Sequence, residues 1–168
     1  NRSNLGLKTL YDMCNIQSQP TAYHVGFLIG PRINAGGRVG KSSYGAELLT
    51  SNNLKRAYKI ANELSNYNKQ RQEMEKVLLI NVDLQAEKNS KDPILILSGE
   101  NWHEGIIGII ASRIKDKYHK PTFIISLKGT NGKGSARSIF GFDIGTSIIS
   151  AVQSGILEKG GGHKMAGG

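Results

Sequence analysis

The stretch Ile94–Leu127, ILILSGENWHEGIIGIIASRIKDKYHKPTFIISL, decides the fold. Ile94-Leu-Ile-Leu97 is an unbroken apolar run of strand length, and Thr122-Phe-Ile-Ile-Ser-Leu127 is a second, set off by Pro121. Between them, Ile106, Ile107, Ile109, Ile110 and Ile114 share a broad helical face over Gly105–Tyr118. Strand, helix and strand in 34 residues predict a parallel pair with a right-handed crossover. Gly108 inside that helix suits close approach of helix to sheet.

Upstream, Asn53 reads as the N-cap of a long helix from Leu54 to Glu87. Ala57, Ile60/Ala61, Leu64, Tyr67, Met74, Val77/Leu78 and Val82 repeat near the helical period, and no Gly or Pro interrupts them. At the α-helical rise it would run roughly 50 Å. So many polar positions on such a length point to a bridge between two domains. Asn89-Ser-Lys-Asp-Pro93 ends it. Nearer the N-terminus, residues 1–22 give a short helix (Leu5, Leu7, Leu10, Met13) and a polar connector at Gln17–Thr21. Val25–Ile29 is apolar and is expected to be broken by Gly30-Pro31. Gly36–Ser42 is expected to be loop, and Tyr44–Thr50 a short helix. Downstream, Ser135–Phe140 reads as a strand edge, Phe142–Gln153 as a helix, and Gly160–Gly168 as a glycine-rich terminus. The fold class expected is α/β: a long bridging helix, then a small mixed-sheet domain built on the βαβ unit.

Charge is placed unevenly. The net is +9. Residues 1–60 carry eight Lys/Arg against two acids, 61–127 nine against nine, and 128–168 five against two. The excess sits with the glycine-rich segments, and nucleic acid is the natural polyanionic partner; a merely soluble basic protein has the same composition. No apolar run approaches membrane-spanning length. The single Cys14 excludes an internal disulfide and a cysteine zinc site, and fits a reducing cytoplasm. The N-terminus has no initiator Met and no signal pattern, so the chain is expected to be part of something longer.

Four segments carry the chemistry. Gly36-Gly-Arg-Val-Gly-Lys-Ser42 nearly matches a nucleotide-binding loop, but position 35 is Ala and no apolar strand directly precedes it. Gly30–Arg38 reads better as a rigid loop presenting Arg32, Asn34 and Arg38, since Arg makes forked contacts to phosphate. A turn with solvated arginines has the same sequence. Trp102-His-Glu-Gly105 opens a helix, which places His103 where a helix N-terminus attracts anions. A packed corner with His103 bonded to backbone suits it equally. Gly132-Lys-Gly-Ser-Ala-Arg-Ser138 offers Lys133, Gly134, Ser135, Arg137 and Ser138 as a phosphate cradle, or forms a hairpin turn. If it runs as a strand, Lys133, Ser135 and Arg137 share one face. Gly161, Gly162 and His163 form the last segment, unless it is a flexible tail. Histidine there donates to phosphate or moves a proton. The two glycine-rich segments near the C-terminus are expected to meet in one pocket, with Arg137 beside His163. The histidines are scattered and no carboxylates cluster, so no complete metal site is expected within the chain.

Gly30-Pro-Arg-Ile-Asn-Ala-Gly-Gly-Arg38, Trp102–Arg113, Gly134-Ser-Ala-Arg-Ser138 and Gly161–Gly167 resemble, in order, the motifs of the RecJ family of single-strand-specific DNA exonucleases, members of the DHH phosphoesterases. Asn68-Lys-Gln-Arg71 resembles the family pattern too. The resemblance implies two lobes. A DHH lobe holds Mn²⁺ or Mg²⁺ on Asp and His; no Asp-His-His occurs here, so that lobe is expected to be incomplete. Residues 1–50 would be its last segment, 51–89 the connecting helix, and 90–168 the DHH-associated substrate-binding domain. Ser135, Arg137, Ser138, Gly161, Gly162 and His163 would bind nucleotide, with an assisting role for His163 and positioning roles for Arg32 and Arg38. The family relation implies single-stranded DNA as substrate, 5′→3′ hydrolysis in DNA repair and recombination, and partners such as single-strand-binding protein or a helicase. Where the family commonly has Ala-Ala-Gly, this chain has Ala-Gly-Gly at 35–37 and 166–168. Two alternatives remain: a sibling phosphodiesterase for short oligonucleotides or cyclic dinucleotides, and a non-catalytic nucleic-acid-binding module similar to a domain attached to some tRNA synthetases.

Overall fold

The structure, a computed structural model, describes residues 3–168. Asn1 and Arg2, the latter counted in the basic excess above, lie outside the described residues. Two compact units divide at Glu73/Met74, within the long helix.

The first unit is helical. α1 (Leu5–Met13) starts at Asn4, whose side chain accepts from the Leu7 N–H at 2.9 Å and donates to the Leu49 carbonyl at 2.7 Å. A π-helical turn, His24–Ile29, runs without interruption into α2 (Gly30–Val39); α3 (Tyr44–Leu49) and the start of α4 (Leu54–Lys88) follow. Leu10, Ile29, Leu48, Ile60 and Leu64 form its core. The expected break at Gly30-Pro31 and the expected loop over Gly30–Arg38 are corrected: both lie in helix, and coil begins only at Gly40. The wide turn explains it. The Gly30 N–H reaches back to the Val25 carbonyl, five residues away, and Pro31 sits in the first turn of α2, where its missing N–H costs little.

Asn53 caps α4 as expected, accepting from the Arg56 N–H at 3.0 Å. Ala57, Ile60, Ala61 and Leu64 are buried in the first unit, and Leu78, Val82 and Ala86 in the second; Met74 and Val77, expected on the buried stripe, are exposed.

The second unit continues with β1 (Leu95–Glu100), α5 (Glu104–Tyr118), β2 (Thr122–Lys128), β3 (Asn131–Arg137), α6 (Ile144–Gln153), β4 (Gly162–His163) and β5 (Ala166–Gly167). The sheet order is β1-β2-β3-β5-β4, with β1 and β2 parallel and the remaining pairs antiparallel. The crossover of the βαβ unit is α5, as the sequence predicts. Leu95, Leu97, Ile124, Ile106, Ile110 and Ile114 are fully buried or nearly so. On the opposite face of the sheet, Ala136 packs with Ile144 and Ile148 of α6, and Phe123 and Phe142 lie against them. α5 stops at His119, which takes a left-handed conformation (φ 53°), with Lys115 and Lys117 in its last turn. The strand expected at Ser135–Phe140 is displaced: β3 starts at Asn131, after a two-residue turn at Gly129-Thr130, and ends at Arg137. No helix among the described residues is long and apolar enough to cross a membrane.

Glu47 of α3 receives a hydrogen bond from the Ser43 hydroxyl at 2.7 Å and one from Arg56 at 2.8 Å, with Lys41 at 3.4 Å. These contacts, the Ser43 bond foremost, hold its carboxyl down at about 2. Its folded value lies below its unfolded one, so its contribution is complete above about pH 4.5 and lost as pH falls toward 2. Glu47→Gln is expected to flatten the decline of melting temperature across that window; thermal unfolding against pH measures it.

Candidate nucleic-acid interface

The alternation of β3 sorts its side chains. Lys133, Ser135 and Arg137 point to the α5 face, and Gly132, Gly134 and Ala136 to the other. The glycine-rich end of the chain is not a tail. Gly162-His163 and Ala166-Gly167 form a hairpin through Lys164-Met165, and β5 pairs with β3. Gly161 and Gly168 exchange backbone bonds at 2.9 and 3.0 Å; Ser138 donates to the Met165 carbonyl at 2.9 Å and Ile144 to that of Lys164 at 3.2 Å. Glycine is required here by space: a Cβ on Gly162 would lie 2.4 Å from the Ala166 carbonyl oxygen, and one on Gly167 2.5 Å from Ile148.

The register lays Arg137, Ala166 and His163 in one row across three strands, so their side chains share a face. Two strand spacings separate Arg137 from His163, about 10 Å. The Arg137 guanidinium folds along its own strand, donating to the Ala136 carbonyl at 2.7 Å and to the Ser135 hydroxyl at 3.3 Å. Farther along the same face, Lys133 pairs with Glu104 at 2.6 Å. Lys133 holds the Glu104 carboxyl below the usual carboxylate range. His103 caps α5, its Nδ1 accepting from the Gly105 N–H at 3.1 Å, and its ring is exposed. Both expectations for this histidine are met in part: it is bonded to backbone and it faces solvent at a helix start. The corner is braced by the Ser126 hydroxyl, which donates to the Trp102 carbonyl at 2.5 Å.

Lys133, Ser135, Arg137 and His163 thus line one strip of the sheet face, with His103 near its end. Ser138 does not join them. It is 1% exposed, and its hydroxyl donates to the Phe142 carbonyl at 2.6 Å. Gly134 and Gly162 have their missing side-chain positions on the opposite face, and the Gly161 N–H is engaged by Gly168. Toward α6, Asp143, Gly145, Thr146, Ile149 and residues 162–165 line a shallow cavity, so His163 borders that cavity as well as the strip, whereas Arg137 does not line it. Asp143 there caps α6 through the Thr146 N–H at 3.0 Å, and its carboxylate repels phosphate. The first unit carries the other residues expected in the site. Arg32 donates to the Leu28 carbonyl at 2.7 Å, while Asn34 and Arg38 share an exposed face of α2, four residues apart.

Sequence reasoning overlooked two acids. Glu104 pairs with a cation of the strip, and Glu75, 2% exposed, meets Arg113 at 2.7 Å. The signal for Glu75 was its spacing from Leu78 and Val82, which puts it on the buried stripe of α4. Among the described residues, no group of three or more His, Cys, Asp or Glu is arranged to hold a metal. The described residues thus offer no set of ligands for the Mn²⁺ or Mg²⁺ that the resemblance implies.

Residues 91–168 match the DHHA1 domain model, so the sheet and its two helices are a DHHA1 domain. Single-stranded-DNA-specific exonuclease RecJ of Escherichia coli (strain K12) is 37% identical over 172 residues, covering 97% of this chain and 30% of that protein. RecJ of Bacillus subtilis (strain 168) is 32% identical over 168 residues, 98% of this chain and 21% of that protein. The crystal structure of RecJ from Thermus thermophilus in complex with Mn²⁺ matches with a TM-score of 0.85 at 32% identity, covering 98% of this chain and 24% of that one. The chain belongs to the RecJ family. It spans about 30% of the length of the first of these curated relatives.

Ser138→Ala is expected to cost about 1–3 kcal/mol by leaving the Phe142 carbonyl without its buried donor. Denaturant unfolding measures that loss, and binding of oligo(dT) per folded molecule should stay unchanged.

Proposed function

We propose that this chain is the part of a metal-dependent, single-strand-specific 5′→3′ DNA exonuclease that grips the DNA backbone. The observation that carries the reading is the common face of Lys133, Ser135, Arg137 and His163, set by the pairing of β3 with β5 and β5 with β4. A guanidinium, a hydroxyl, an ammonium and an imidazole in one strip are donors matched to successive phosphate oxygens. Such contacts fix position and neutralise charge without reading sequence. Residues 90–168 would form the substrate-binding domain, 51–89 the connecting helix, and 1–50 the last segment of a DHH lobe whose Asp and His hold the two metals. Those ions would activate water and stabilise the leaving oxygen at the phosphodiester. Arg32, Asn34 and Arg38 would contact single-stranded DNA from α2. The setting would be the cytoplasm, in DNA repair and recombination, with single-strand-binding protein and helicase as partners.

In the full-length protein, Arg137→Ala is expected to weaken oligo(dT) binding and to reduce the slope of log affinity against log salt by about one unit. An unchanged slope would count against the contact. His163→Ala should lower turnover by about 10²-fold, the size of a lost oxyanion donor, with metal content intact by elemental analysis. Hydrolysis confined to dinucleotides would instead identify a sibling phosphodiesterase.

A further inference from the structure

Helix α5 carries glycine at position 108, in its interior, where glycine destabilises a helix relative to alanine. A stabilising residue is excluded there for a reason other than helix formation. A Cβ on Gly108 would lie 2.9 Å from the Ser135 hydroxyl oxygen and 3.2 Å from an Arg137 guanidinium nitrogen, with the Ser135 Cβ at an ordinary 3.7 Å. Gly6 and Gly36 of the first unit differ in kind. A Cβ on Gly6 would strike the Leu48 carbonyl oxygen at 2.1 Å, and one on Gly36 that of Lys41 at 2.6 Å. Those neighbours are backbone and cannot yield without moving an element. The neighbours of Gly108 are the polar ends of two side chains, which can turn aside without moving an element but then leave their places in the strip.

We infer that Gly108 is a positioning residue: its bare backbone is the floor on which Ser135 and Arg137 lie, and it sets where their donors meet the phosphate. The inference rests on the proposed binding role of that strip. Among the described residues Arg137 bonds to the Ala136 carbonyl and the Ser135 hydroxyl of its own strand, through one guanidinium nitrogen, and the other nitrogen lies over α5 at Gly108. The helix backbone beneath limits how near to α5 the guanidinium lies. An added methyl group lifts both donors together. Because a displaced guanidinium still carries its charge, the expected defect is in the geometry of the grip, and more in turnover than in affinity.

The test uses full-length protein, oligo(dT) bearing a 5′-phosphate, and the variants Gly108→Ala, Arg137→Ala and both together. Gly108→Ala should keep or raise the melting temperature, weaken binding several-fold, and lower kcat by more than it raises KM. In the Arg137→Ala background the added Gly108→Ala should have a smaller further effect, acting through Ser135 alone. Three results would overturn the inference: native binding and turnover in Gly108→Ala while Arg137→Ala is impaired, a fall in melting temperature that accounts for the loss, or an undiminished effect in the double variant. Native binding in Arg137→Ala itself would instead remove the proposed role of the strip, and the inference with it.

Discussion

The antiparallel pairing of Arg137 with Ala166, and of Ala166 with His163, is the constraint on which the site depends. Strands of two residues cannot hold themselves; isolated hairpins are marginal even when longer. This one is fixed from outside its own ladder. Gly161 and Gly168 close its open end, Ser138 and Ile144 donate to the carbonyls of its turn, and Ile148 fills the space beside Gly167. A slip of one residue would turn His163 toward α6 and present Gly162 to the strip. The buried face of α6 therefore determines which way the exposed histidine points, although the two never need to touch.

The glycines show how misleading their sequence spacing is. Gly36, Gly37 and Gly40 imitate a phosphate-binding loop, yet Gly36 is helical and meets the Lys41 carbonyl, and Gly40 lies against the Tyr67 ring. Packing against neighbours accounts for both. The glycines at 162 and 167 serve packing too, but what they pack is the hairpin that carries His163. Glycine enrichment reports close approach. Whether the approaching group is a ligand or another part of the chain is decided by tertiary structure.

The βαβ unit, the long helix and its Asn53 cap, and the shared face of Lys133, Ser135 and Arg137 were legible because each rests on local periodicity or a local cap. The helix through Gly30-Pro31 was not. Both residues are breakers by propensity, and the π-helical turn that admits them leaves no periodic trace in six residues. The start of β3 was missed because Gly132 and Gly134 have no side chains to alternate; their place in the strand comes from backbone pairing with Leu127 and Ile125 of β2. A common pocket of Arg137 and His163 was expected from their glycine-rich, basic segments and from the resemblance; the structure places them in one row, two strand spacings apart. The physical basis of that row, pairing between segments far apart in the chain, leaves no mark in sequence. Ser138 was assigned to the site as part of the Gly134-Ser-Ala-Arg-Ser138 motif, whereas its hydroxyl bond to the Phe142 carbonyl turns it inward.

Charge placement ties these levels together. In the neutral middle of the sequence, two acids are matched to bases between two helices: Glu75 with Arg113, and Asp83 with Lys117, while Asp83 also accepts from the Tyr118 hydroxyl at 2.9 Å. Lys117 draws the Asp83 carboxyl below its ordinary value and has its own ammonium raised in return, so the pair is charged on both sides near neutral pH. The partly exposed Asp83–Lys117 pair adds little stability, but it balances charge on that surface. In the strip, Lys133 has an acidic partner in Glu104, whereas among the described residues no carboxylate pairs with Arg137 or His163. A cation matched to an acid is satisfied by the protein itself. Arg137 is bonded only to a carbonyl and a hydroxyl, both neutral, and so keeps a full charge for an anion from outside. The excess positive charge seen along the sequence thus becomes, at this face, an unneutralised cation at one end of the row.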